Sequence, residues 1–156
     1  NAATYVPRNT TALLDAIGLT VDRLGQRLAN TPEPDRPGQV IVAILTDGLE
    51  NASTRYTWQD IASRLRHQQE KYRWRFLFLG ANQDAIATAA RLNIGRADAA
   101  TFRADGVGIQ ASTVSVSRKT AALRRAARGH AAGQDLAKPM QDIVAEENAP
   151  SEKHLR

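Results

Sequence analysis

The chain contains no cysteine. That removes disulfide frameworks, thiolate catalysis and cysteine-ligated zinc from consideration, and it leaves the compartment open, with a cytoplasmic location the default expectation. No apolar run approaches the ~20 residues that a membrane-spanning helix needs. No Walker loop and no G-x-S-x-G elbow occurs, so neither a nucleotide site nor a hydrolase triad is supported. The three histidines, His67, His130 and His154, lie far apart and show no metal-ligand spacing. Aromatics make up only 5% of the chain, and Trp58 and Trp74 read as packing residues rather than base-stacking platforms. The first residue is Asn1 rather than Met, so the chain reads as a fragment or processed product, and any signal peptide would lie upstream.

What is there suits one domain. The chain has 156 residues, 42% of them hydrophobic, enough for a real core. The stretch from Arg103 to His130 holds Arg103, Arg118, Lys119, Arg124, Arg125 and Arg128 against Asp105 alone, so it carries the whole formal excess of +5. A nucleic-acid or other polyanion reading would rest on Arg118, Arg124, Arg125 and Arg128. A stripe of this kind is more often a solvated helix face.

Leu14, Ile17, Val21, Leu24 and Leu28 recur at spacings of three and four, which predicts an amphipathic helix from about Thr11 to Ala29. A turn-rich loop follows, Asn30 to Gly38. Val40–Leu45 is short, rich in β-branched residues and free of polar alternation, the pattern of a parallel strand buried on both faces. A second helix is predicted over about Thr57 to Tyr72, with Ile61, Leu65 and Tyr72 on its inner side. Arg75–Leu79 predicts a second strand, closed by Gly80. Asp84 can cap a third helix containing Ile86, Ala89, Ala90 and Leu92, with Gly95 near its end. Ala100–Ala104 predicts a third strand. The last long helix, about Val107 to Arg128, has Ile109, Thr113, Val116, Leu123 and Ala127 on one stripe and the arginines on another. From Gly129 to Arg156 the pattern fades into an expected loose tail, with one short helix around Asp135–Glu147. Alternating strands and helices predict an α/β fold with a parallel sheet and right-handed crossovers.

Ligands of such sheets bind beyond the carboxyl ends of the strands. The apolar run Val40–Leu45 ends there in Thr46-Asp47-Gly48, which puts a carboxylate at that edge, with glycine freeing the turn. Thr11, at the start of the first helix, offers a hydroxyl. Hard oxygens of this type suit Mg²⁺ or Ca²⁺ rather than zinc or copper. The plainer readings stand beside this one. Asp47 is also a common turn residue, and Thr11 a common helix cap. Asp15 reads as a helix-dipole partner. Glu50, Asn51 and Ser53 read as loop surface, Asn82 and Asp84 as turn and cap.

Three stretches together, TTALLDAIG (Thr10–Gly18), VIVAILTDGLENAS (Val40–Ser53) and FLFLGANQDAIATAARLNIG (Phe76–Gly95), resemble a bacterial von Willebrand factor A domain over roughly Tyr5 to Arg128. The resemblance implies a Rossmann-like α/β sandwich. It also implies a metal-ion-dependent adhesion site holding Mg²⁺, Ca²⁺ or Mn²⁺, which engages an acidic side chain of a protein partner. The family's threonine matches Thr11 and its aspartate matches Asp47. The family's third element, Asp-x-Ser-x-Ser after its first strand, occurs nowhere in these 156 residues; Ser112–Ser117 has the alternation but puts Thr113 where the aspartate belongs. On this resemblance the chain corresponds to the C-terminal two-thirds of such a domain, residues 1–128, truncated before its first strands. The expected function is therefore a protein-binding module, not an enzyme. Two rivals remain open: an enzyme performing Mg²⁺-assisted phosphoryl transfer or hydrolysis at the strand-end aspartate, and a polyanion-binding domain using the arginine helix. In the doubly wound strand order, Val40–Leu45 would pair with an absent first strand, so its edge is expected to be open and to drive self-association.

Overall fold

The computed structural model describes residues 10–81, 84–131 and 133–149. Three parallel strands, β1 (Ile41–Thr46), β2 (Arg75–Ala81) and β3 (Ala99–Phe102), form an open sheet in the order β1-β2-β3. Five α-helices among the described residues flank it: α1 (Leu13–Ala29), α2 (Trp58–Tyr72), α3 (Ala85–Arg91), α4 (Gly106–Ala127) and α5 (Met140–Asn148). The architecture is α/β and Rossmann-like, as the alternating sequence pattern predicts.

β2 is the centre, and its composition follows from that. Phe76 and Phe78 pack into one core with Leu14, Ile17, Val21, Ile61, Leu65 and Leu92. Leu77 and Leu79 face the opposite core with Leu123, Met140 and Val144. A parallel strand covered on both faces must be apolar at every position, and Phe76 to Ala81 is buried throughout. The helices that cover it begin where side-chain acceptors meet free backbone N–H groups. Thr57 and Asp60 form a reciprocal capping box on α2, Asp84 accepts from Ala87 N on α3, and Asp105 accepts from Gly108 N on α4.

β1 departs from its sequence reading. Ile44 is buried, but Ala43 is exposed and Leu45 is 48% exposed, so one face is covered along the strand and the other only at Ile41. Among the described residues β1 is hydrogen-bonded to β2 alone and forms an edge. Periodicity reports how apolar a strand is and not how many layers cover it.

The inner stripes of two helices also differ from expectation. On α2, Ile61 and Leu65 are buried while Tyr72, one residue before the left-handed Arg73 closes the helix, is 53% exposed. On α4 the buried stripe is Gly108, Ala111, Ser112, Ser115, Lys119, Ala122 and Leu123. Ile109, Thr113 and Ala127 are exposed, and Val116 is half-buried. Small residues let this helix lie close against its neighbours, so side-chain size rather than hydropathy sets its inner face.

The segment after Gly129 is packed over residues 133–149, where a loose tail was expected. Met140, Ile143 and Val144 of α5 are essentially inaccessible. Two cations of α4 hold the segment. Arg118 pairs with Asp135, Glu146 and Glu147 at 2.7–2.8 Å. The Lys119 ammonium donates to the backbone carbonyls of Asp135 (3.2 Å), Leu136 (3.0 Å) and Lys138 (2.7 Å). Burial pushes the Lys119 amine below its usual value, Arg75 adds to that push, and the charges of Asp98 and Asp135 oppose it. Three carbonyl acceptors match the three N–H bonds of the charged form.

Two measurements follow. Lys119→Met would leave three carbonyls without their donor and should destabilise the chain by about 3 kcal/mol in denaturant unfolding. A loss below about 0.5 kcal/mol, the range of ordinary surface changes, would mean that water replaces the ammonium. The open β1 edge, Val40–Thr46, carries no charge, proline or other edge protection. Sedimentation velocity should therefore show concentration-dependent association, reduced by Ala43→Lys on the bare face. A concentration-independent monomer would contradict this.

Candidate metal and partner site

The carboxyl end of β1 is shaped by Thr46. Its Oγ1 donates to Gly48 O at 2.8 Å and receives Gly48 N at 3.3 Å, a tight hydroxyl-closed turn. Asp47, at the apex, is exposed. Gly48 meets the start of α1: a β-carbon at position 48 would stand 2.4 Å from Thr11 Oγ1. Only glycine allows that approach. The structure thus brings Thr11 into contact with the turn that carries Asp47.

Thr11 is not the cap of α1. The capping position is Ala12, which makes no side-chain cap bond. The loop after β1 does this work instead. Glu50 Oε2 accepts Leu14 N (2.9 Å) and the Ser53 hydroxyl (2.8 Å), while Glu50 Oε1 accepts Ala52 N (3.1 Å) and Ser53 N (2.8 Å). Ser53 Oγ in turn accepts Asp15 N at 3.1 Å. Asn51 and Thr11 exchange bonds, Thr11 N to Asn51 Oδ1 (2.8 Å) and Asn51 N to Thr11 O (3.1 Å). Asp15 accepts three consecutive amides, Thr54 N, Arg55 N and Tyr56 N, at 3.0–3.1 Å. One turn further along α1, the Tyr56 ring lies against Gly18, where a β-carbon would stand 2.6 Å from it.

These contacts set the acids' properties. The bond from Thr54 N leads in holding the Asp15 carboxyl below its usual value, against burial. For Glu50, burial works to raise the value, but the donors Leu14 N, Ser53 and Ala52 N outweigh it and the net direction is down. Glu50, Asn51, Ser53 and Asp15, read from sequence as surface or dipole residues, are the frame that fixes Thr11 beside the Asp47–Gly48 turn. Their signal in the sequence is only a polar loop at the end of an apolar strand. Which amide each oxygen meets depends on a helix about 40 residues away.

The frame leaves two oxygen donors unspent. Among the described residues, neither the Thr11 hydroxyl nor the Asp47 carboxylate forms a side-chain hydrogen bond. Among those residues no group of three or more His, Asp or Glu is arranged so that it could hold a metal ion. A hard cation at this edge would have two protein oxygens, and Mg²⁺, which keeps several waters, is the ion such a donor set fits.

The other sequence candidates lie elsewhere. Arg118 is turned to Asp135, Glu146 and Glu147, so its charge is neutralised within the fold. Arg124, Arg125 and Arg128 are exposed at the C-terminal end of α4. Asp84 caps α3, as expected, while Asn82 and His154 lie outside the described residues. A cavity of about 640 Å³ opens at the opposite end of the sheet, between α1 and α2, lined by Val21, Val40, His67 and Trp74 among others. Among the described residues no helix is long and apolar enough to cross a membrane. Comparison of the chain with protein-family models, with curated proteins and with solved structures finds no match.

Glu50→Ala should cost about 1 kcal/mol, the scale of a lost helix cap, and loosen amides 11–15 and 50–56 in hydrogen exchange. Because the folded-state value of Glu50 lies below the ordinary value of a free glutamate, its contribution is present above that ordinary value and fades as pH falls through the lower, folded value. Acid should therefore loosen the same amides in the native chain. Unchanged exchange in both experiments would mean that Glu50 is not the stitch.

Proposed function

We propose that the chain is a protein-binding module of the von Willebrand factor A type. Thr11 and Asp47 supply part of a divalent-cation site, and the cation receives an acidic side chain of the partner. The observation that carries this reading is the seating of the Thr11 hydroxyl on Gly48, beside Asp47. The quoted motifs put these two residues 36 positions apart in sequence, and the fold joins their loops.

In this reading Asp47 gives the ion a charged oxygen, Thr11 a neutral one, and Gly48 the clearance for both. The bound cation would supply Lewis acidity toward an incoming carboxylate. Glu50 and Asp15 keep the two loops in register but are engaged by backbone amides. That engagement also favours binding over catalysis, because neither acid is free to serve as a general base beside Asp47.

Mn²⁺ added to isotope-labelled chain should broaden amide signals at residues 11–13 and 46–50 first. Mg²⁺ should compete this away, and Asp47→Ala should abolish it. Broadening centred on Asp135, Glu146 and Glu147, or none at millimolar Mn²⁺, would defeat the proposal.

A further inference from the structure

The cavity between α1 and α2 has no part in the cation reading. It opens at the amino end of the sheet, where Val40 leads into β1 and Trp74 into β2, whereas Asp47 follows β1 at the carboxyl end. Its volume of about 640 Å³ falls in the range of small-molecule sites. Val21 and Trp74, both buried, give it an apolar floor. On its wall the rings of His67 and Tyr72 stand edge to face, with centroids 5.7 Å apart, and Tyr72 is largely open to solvent.

Two features of the lining are not explained by the packing of the protein against itself. Gly25 stands inside α1, four residues before its end, and glycine is the poorest helix former after proline. Two turns earlier the reason for Gly18 is plain, since a β-carbon there would stand 2.6 Å from the Tyr56 ring. At Gly25 a β-carbon would meet, among the described residues outside its own helix, only Gln68 Nε2 at 3.7 Å, an ordinary contact. Gly25 and Gln68 both line the cavity, so what the glycine keeps open is the cavity itself. The second feature is Gln39, also in the lining. Its side-chain oxygen is buried and meets no donor among the described residues. A buried acceptor without a donor is costly, and turning toward the cavity would forfeit no hydrogen bond.

We propose that this cavity binds a small, uncharged aromatic compound bearing an N–H or O–H donor, with its ring against His67 and Tyr72 and its donor on Gln39 Oε1. Charge chooses the class. The lining holds one acid, Asp22, and one strong base, Arg36, and both are engaged within the protein. Asp22 accepts Arg64 Nε at 3.1 Å and the Tyr56 hydroxyl at 2.9 Å. Arg36 donates to the carbonyls of Thr31 (2.8 Å) and Ala29 (3.2 Å) at the end of α1. With the two signs balanced, nothing in the lining calls for an ion. The aromatic wall and the unpaired acceptor suit a flat ring with one donor.

Indole and benzofuran, which match in shape and differ in the N–H, serve as probes, titrated into the isotope-labelled 156-residue chain. Indole should shift the amides of residues 21–29, 39–40 and 67–74 saturably. Benzofuran should bind about fivefold more weakly, the scale of one hydrogen bond. Gln39→Met should bring the two probes to equal affinity by weakening indole alone. Gly25→Leu, which fills the cavity from α1 and gives the helix a better former, should abolish binding of both and leave the far-ultraviolet dichroism unchanged. Chelator should alter none of this. Equal affinity of the native chain for the two probes removes Gln39 as the acceptor and overturns the ligand class. Binding that survives Gly25→Leu puts the probes elsewhere and overturns the site. If no saturable shift appears at millimolar indole, the cavity is a packing gap and the inference fails, with the cation reading untouched.

Discussion

The carboxylate of Glu50 is the contact on which the carboxyl edge of this molecule depends. It accepts four hydrogen bonds, three within its own loop and one from Leu14 in the first turn of α1. A helix start carries free N–H groups that must find acceptors. Here Ala12 in the capping position has no oxygen to offer, so the acceptor arrives from the loop after β1. The loop and the helix therefore order each other. The reciprocal Thr11–Asn51 bonds and the Asp15 acceptor for three amides extend that closure along both sides. With the loop so anchored, Thr46 can close its turn and hold Asp47 outward.

The opposite face of the sheet solves a different problem. α4 must lie close to the sheet, and its inner stripe is small for that reason. Small side chains bury little apolar area. Met140 and Val144 of α5 supply what α4 lacks, completing the core over Leu77 and Leu79. The connection between the two helices would expose carbonyls to a dry interior. Lys119 fills that need with an ammonium that three carbonyls surround, and Arg118 gathers the carboxylates of the same segment. Two of the basic residues that make the chain cationic therefore work inside it.

Strand number, helix count and the apolar faces of α1 and β2 were legible because each follows from a local period. Leu14, Ile17 and Val21 are buried where spacing predicts. What was not legible depends on how many neighbours an element has. Val40–Leu45 reads from its composition as covered on both faces, yet Leu45 is half exposed; its open edge is the one the doubly wound order predicts. The α4 stripe was read from hydropathy and is rotated by the demand for close packing. The segment after Gly129 looked loose because its anchors are backbone carbonyls and dispersed acids, which leave no periodic trace. At the site, Thr11 and Asp47 could be named from motif resemblance. The roles of Glu50, Asn51 and Ser53 could not, because a polar loop residue has no meaning until its distant acceptor or donor is in place.

The contrast between spent and unspent oxygens gives the edge its character. Glu50 and Asp15 meet between them seven hydrogen-bond donors, and each is thereby fixed. Asp47 and Thr11 meet none through their side chains among the described residues, although the same frame positions them. Ordering a loop this tightly costs conformational entropy, and the bonds that offset it all lie in the frame. The frame sets the backbone that carries this carboxylate and this hydroxyl, and the two groups stand at an open edge rather than in a closed cleft. On the proposed cation reading, a hard cation would take these two oxygens and keep water elsewhere, and exchange of one such water for an external carboxylate would leave the Glu50–Asp15 frame as it stands.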